Sequence, residues 1–274
     1  MKISYNKTDK IKDYSHLSTI VEISDSGLSI AYYNKDAMAI KGVKIFDFKN
    51  SDDTEIASRL ETIFSENIYN RERLSIFLDQ KESLIIPDAD EFLKDKEKML
   101  DLFFGSKNNK SFSDTIKLSF PHTANAVNIY RVAPEIKNKI EQFIPTVKFA
   151  HSSSSQIEEA VKGMTVIFQN YYFKIILMTD SGFKFIKHFN YKTPADVSYF
   201  MLWVCKNYEV SPLEIDVIIK GMVDKDSNLF EEMEKYFRNI NFSTPDKDVL
   251  LDFDCDADNL HFFRNLTHLV KCVS

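Results

Sequence analysis

At 274 residues, with 35 Lys and Arg against 41 Asp and Glu, the chain carries a formal charge of -6, and 44% of it is hydrophobic. That is the balance of a soluble globular protein with a real core, large enough for one big domain or two moderate ones. It lacks the concentrated basic face that nucleic acid requires. Three cysteines with no CxxC spacing argue against a disulfide framework or a zinc knuckle and suit a reducing cytoplasm. No apolar run reaches the roughly 18 residues that span a bilayer, and the first residues hold no apolar signal core.

Taken in order, residues 18–48 read as three strands. TIVEIS at 19–24 is β-branched and apolar, Asp25-Ser26-Gly27 is a tight-turn signal, 28–33 alternates, and 38–48 supplies the third. Ile56, Leu60, Ile63, Phe64 and Ile68 then fall at helical spacing over 52–69, with Ser51 or Asp52 as the cap. A fourth strand follows at 74–78. The spacing predicts a charged helix over 90–104, a polar loop at 106–111 and a helix over 134–143. The run His151-Ser152-Ser153-Ser154-Ser155 reads as a flexible boundary.

The second part repeats this order. Strands are expected at 164–168, 173–178 and 183–191. Thr193-Pro194 with Asp196 opens a helix whose apolar face holds Val197, Phe200, Met201, Val204 and Cys205. A strand at 215–219 and an amphipathic helix over 228–240 follow. Three strands, a helix and a strand, twice over, make an internal repeat with a period of about 145 residues.

These stretches, with Leu84-Ile85-Ile86-Pro87, the run 126–132 (AVNIYRV) and 215–239, resemble the actin-like ATPase superfamily. The pattern is similar in particular to the cytoplasmic actin-like proteins of type IV pilus and type II secretion platforms, and to a bacterial family of unknown function with this fold. The resemblance implies an α/β chain with a duplicated actin-like ATPase (ribonuclease H-like) fold. Two mixed-sheet halves, 1–155 and 156–274, would face a cleft where relatives bind ATP and Mg²⁺.

On that resemblance the first phosphate loop falls on Glu22-Ile23-Ser24 with Gly27 beyond, and the adenine-side loop on Lys220-Gly221-Met222-Val223-Asp224. Glu22, Ser24, Gly27, Lys220, Gly221 and Asp224 are therefore the residues offered to a nucleotide. Their plainer reading is a hairpin and a strand-to-helix turn. The second phosphate loop falls on 168–172, with no carboxylate and no glycine, and two tyrosines there block the amide cradle that phosphate needs. The expectation is a cytoplasmic, non-catalytic scaffold with no cofactor, binding another protein, a second copy of itself or a membrane-associated assembly factor. The alternative is an ATP- and Mg²⁺-dependent ATPase or phosphotransferase using Glu22 and Asp224.

Other constellations carry less. The alternating carboxylates at 252–258 lack the glycine and the final glutamate of an EF-hand. His261 and His268, expected on one helix over 259–270, read as packing or capping, and Cys205 as inert core. Tyr171 and Tyr172 fall in an expected turn, where exposed aromatics would suit a protein-binding patch.

Overall fold

The computed structural model describes residues 2–48, 51–68, 70–88, 93–106, 109–118 and 124–273. The first part runs β1 (Lys2–Lys7), β2 (Ser18–Ser24), β3 (Gly27–Asn34), β4 (Ala39–Asp47), α1 (Asp53–Asn67) and β5 (Leu74–Asp79). Then come β6 (Ser83–Pro87), α2 (Lys96–Phe104), β7 (Lys110–Leu118), β8 (Ala124–Val132), α3 (Pro134–Phe143), β9 (Phe149–His151) and α4 (Ser152–Glu158). The second part runs β10 (Gly163–Phe168), β11 (Tyr172–Thr179), β12 (Gly182–Asn190), α5 (Pro194–Asn207), β13 (Asp216–Gly221), α6 (Asn228–Glu234) and β14 (Asn239–Phe242). It ends with β15 (Leu250–Leu251), a 3-10 stretch (Ala257–Phe263) and α7 (Arg264–Val273).

Two mixed sheets share one plan. The first has the order β1-β4-β3-β2-β5-β9, the second β12-β11-β10-β13-β14. In each, a meander of three antiparallel strands is followed by one strand parallel to its first strand and another parallel to that one. Parallel neighbours need a crossover, which α1 and α5 provide. Both helices start where the side chains dictate. Asp52 caps α1, and Thr193 with Asp196 forms a capping box on α5. A third sheet, β6-β8-β7, is inserted between β5 and β9.

Every residue of β2 is buried because its sheet is covered on both faces. Val21 and Ile23 pack with Ile56, Leu60 and Phe64 of α1 and Ile136 and Ile140 of α3. Ile20, on the opposite face, packs with Ala31, Ile40 and Val43 against Leu266, Leu269 and Val270 of α7. β15 pairs in parallel with β4, so the chain returns to its first sheet at the end. The second sheet packs Met164, Val166 and Phe173 against Val197, Met201 and Val204 of α5.

Three expectations need correction. The run 151–155 is no flexible boundary: His151 ends β9, and Ser152 to Ile157 are buried in α4. The apolar spacing of Leu229, Met233, Phe237 and Ile240 imitates one long helix. In fact α6 stops at Glu234, and Ile240 pairs with Val217 in the sheet, a tertiary contact overriding local period. The expected helix over 259–270 is a 3-10 stretch, kinked at Asn259, followed by a helix from Arg264. Of the charged helix over 90–104, α2 from Lys96 is seen, and 90–92 lie outside the described residues. Lys110 and Ser111 of the expected loop open β7, and 107–108 also lie outside.

Candidate functional site

The face of the second sheet that α5 leaves open turns toward the first sheet, and the contact is polar. Asp79, the last residue of β5, is the focus. Lys174 in β11 donates to its Oδ1, the Tyr172 hydroxyl donates to Oδ2 at 2.6 Å, and His188 Nε2 in β12 lies 3.2 Å from Oδ1. The remaining Lys174 protons go to Ser153 Oγ at 3.0 Å and Gln156 Oε1 at 2.7 Å. All three donors of this ammonium are used, the condition under which a buried charge is tolerated. Burial raises the Asp79 carboxyl, but Lys174 and His188 outweigh it and hold the group well below the usual carboxylate range. Burial, then Asp79, pushes the Tyr172 phenol well above its ordinary value.

The serine run of α4 is the hub. Ser152 donates to Glu22 Oε1 at 2.6 Å, Ser154 to Asp114 of β7 at 3.1 Å, and Gln156 to Asn265 of α7 at 2.7 Å. One short helix thus touches both main sheets, the inserted sheet and the last helix. Serine suits the place because a small side chain lets backbones approach while its hydroxyl both donates and accepts. His151 caps α4: its Nδ1 accepts from Ser153 N at 3.1 Å, and its Nε2 donates to Gln80 O at 3.0 Å. That pairing fixes a neutral ring, in keeping with burial driving its pKa down to about 3.

Glu22 is buried, and Asn265 Nδ2 reaches its two oxygens at 2.7 and 2.9 Å. Burial, and then the nearby Asp79, raises its carboxyl to about 7. Ser24 Oγ closes the hairpin on Gly27 O at 3.1 Å, and a Cβ on Gly27 would stand 2.5 Å from Phe46 O. These three residues border a cavity of about 10 Å³ together with Gln169 and Asn170, room for one water. Lys220, Gly221 and Asp224 do not border it. Lys220 Nζ instead sits 2.5 Å from Glu159, within a second network where Arg264 joins Glu159 and Asp246 at 2.5 Å each. Gly221, at φ +84°, leaves 2.0 Å between a would-be Cβ and Phe168 O, so its glycine serves the close parallel pairing of β10 and β13. Asp224 is exposed and its carbonyl receives Ser227, the cap of α6.

Glu159, Asp246 and His268 lie close enough to hold an ion, but Lys220, Arg264 and Lys271 already answer their charge. The tyrosine expectation divides. Tyr172 is buried in β11, because its hydroxyl has a carboxylate to meet, and it offers no exposed patch. Tyr171 bonds Asp47 at 2.5 Å, which tethers the second hairpin to β4. His261 is buried against Val223 O at 2.7 Å, and Cys205 is buried core with its thiol pushed up to about 11. Of the carboxylates at 252–258, Asp252 and Asp254 pair with Lys41 and Lys10.

Asp79, Lys174 and His188 are the residues that pattern reading passed over. A signal was present, since Lys174 is the one charge in the apolar run Phe173 to Met178.

Two sheets of one order, opposed across an interface with the last helix returned to the first sheet, make this chain a protein of the actin-like ATPase fold. A Bacteroides thetaiotaomicron protein with actin-like ATPase fold and unknown function superposes with a TM-score of 0.72 at 16% identity, covering 96% of this chain and 99% of that one. The structure described as the PilM-PilN type IV pilus biogenesis complex gives 0.62 at 9% identity, covering 96% and 100%. The chain itself belongs to the family described as protein of unknown function (DUF3822), whose model matches residues 5–240. No curated protein matches its sequence.

Proposed function

We propose that the chain is a non-catalytic scaffold that binds another protein and uses its interface between sheets as a structural lock. One observation carries the reading. Where a nucleotide would need open space, Asp79 is already matched by Lys174, Tyr172 and His188, and about 10 Å³ is left beside Glu22, Ser24 and Gly27. Small-molecule sites run to roughly 300–1,000 Å³. The side chains present do not fit ATP with Mg²⁺. In this reading the chain is a duplication, expected as halves 1–155 and 156–274 but joined through α4 across that point, whose second sheet fills the cleft of the first.

A protein partner is supported by the fold neighbour PilM, described in complex with PilN. A cytoplasmic location is supported by three unpaired cysteines. No described helix is long and apolar enough to cross a membrane. Calorimetry with Mg-ATP on the whole chain tests the proposal, alongside a magnesium-dependent phosphate-release assay. Neither heat nor turnover above buffer is expected. Micromolar binding that disappears in Glu22→Ala would overturn the scaffold reading and restore the ATPase alternative.

A further inference from the structure

We propose that the groove between the edges of β6 and β12 takes up an extended acidic segment of a partner protein as an added strand. The inference rests on the scaffold reading and names the partner's chemistry. Among the described residues β6 pairs only with β8 and β12 only with β11, so each presents one unpaired edge. The two edges border one groove of about 310 Å³, with Ser83 and Leu84 on one wall and Ile186 and Lys187 on the other. Phe103 and Phe104 of α2 close its side, and Phe103 stays 64% exposed. A free edge supplies main-chain hydrogen bonds to an extended peptide, and alternate side chains of that peptide fall into pockets beside it.

Charge selects the occupant. The groove is lined by Lys187 and by Lys81, which also reaches Asp25 at 3.9 Å and Asn190 at 3.1 Å, and, among the described residues, by no carboxylate, although the chain as a whole is at -6. Lys187 and its neighbour Lys184 make no ion pair among the described residues. A second copy of the chain is a poor fit: pairing two β12 edges would bring Lys184 and Lys187 of both copies onto one seam, where like charges repel. A strand that alternates carboxylate and small apolar side chains meets both the lysines and the walls formed by Leu84, Phe103 and Ile186.

Fluorescence anisotropy on the full chain tests this with a labelled hexapeptide of alternating glutamate and valine, and a control of alternating lysine and valine. The glutamate peptide is expected to bind and the lysine peptide not to. Lys187→Glu and Phe103→Ser, both at exposed side chains, should each weaken binding by roughly tenfold or more while leaving the thermal melt in place. Amide exchange should slow in residues 83–87 and 182–190 when the glutamate peptide is present. No binding, equal binding of both peptides, indifference to Lys187→Glu, slowed exchange elsewhere, or self-association at the β12 edge would each overturn the proposal. The nucleotide test separates the two readings. Failure of the peptide with no ATP binding removes the groove and leaves the scaffold, whereas ATP binding removes the scaffold whatever the peptide does.

Discussion

Lys174 of the second sheet meets Asp79 at the tip of β5, and each side chain is 1% exposed. A pair this deep is a poor source of net stability, because desolvation consumes most of its attraction, yet it penalises any other arrangement of the two sheets. Lys174→Met leaves a buried carboxylate facing only Tyr172 and His188. The expected loss is about 3–5 kcal/mol by urea unfolding, and Asp79→Leu combined with Lys174→Met should recover most of it. If the single variant unfolded like the parent chain, the ammonium would not be what balances Asp79.

Glu22 gives the interface a pH dependence of known sign. Its carboxyl is near 7 in the fold against 4.5 for the free side chain, so the folded chain keeps a proton that the unfolded chain releases in that window. The Glu22 contribution is therefore fully present below pH 4.5 and lost as the pH rises to about 7, by about 3 kcal/mol. His151 and His188, both lowered by burial, act in the opposite direction: the unfolded chain takes up protons below about 6.5 that these rings refuse. Comparison with Glu22→Gln cancels the histidines. The variant's advantage in urea midpoint should grow from pH 5 to about pH 7 and level off above it, and a constant difference would show that Glu22 does not titrate there.

Gly221 and Gly105 make a controlled pair, since both sit at positive φ. A Cβ at Gly221 meets Phe168 O at 2.0 Å, while one at Gly105 meets nothing within 4 Å. Gly105→Ala should cost only the backbone strain of its φ 80°, ψ 160° conformation, about 1–3 kcal/mol. Gly221→Ala should cost clearly more, as β13 is forced away from β10. Equal losses in thermal unfolding would mean that β13 yields freely.

The common order of the two sheets is legible because local chemistry and tertiary structure agree along them. The Asp25-Ser26-Gly27 turn, the Asp52 cap and the Thr193-Asp196 capping box are each set by neighbours in sequence and recur in the fold. The interface was not readable in the same way. Asp79 and Lys174 are 95 residues apart, and neither belongs to a motif. The serine run shows the same limit. Its composition is that of a linker, and only Glu22, Asp114, Asn128 and Lys174 converging on it give those hydroxyls a buried role. The groove walls of β6 and β12 were equally hidden, because a free edge is a property of topology and not of either strand's residues.

The last helix completes the first sheet, and this predicts how the chain divides. Ile20, Ala31, Ile40 and Val43 are buried because Leu266, Leu269 and Val270 lie on them and β15 extends their sheet. A fragment of residues 1–155 keeps α1 and α3 on one face but exposes this whole second face to water. Burial of such side chains is worth about 1.5–3 kcal/mol each, and small domains hold only a few kcal/mol in reserve. The fragment should therefore be unfolded or aggregated by circular dichroism and size exclusion, and a peptide of residues 257–273 added in trans should raise its soluble, folded fraction. Within the intact chain, Leu269→Ala should cost about 2–5 kcal/mol, as at other fully buried leucines. A monomeric 1–155 fragment with a cooperative melt would instead mean that α1, α3 and the inserted sheet suffice, and that α7 is an accessory to the fold.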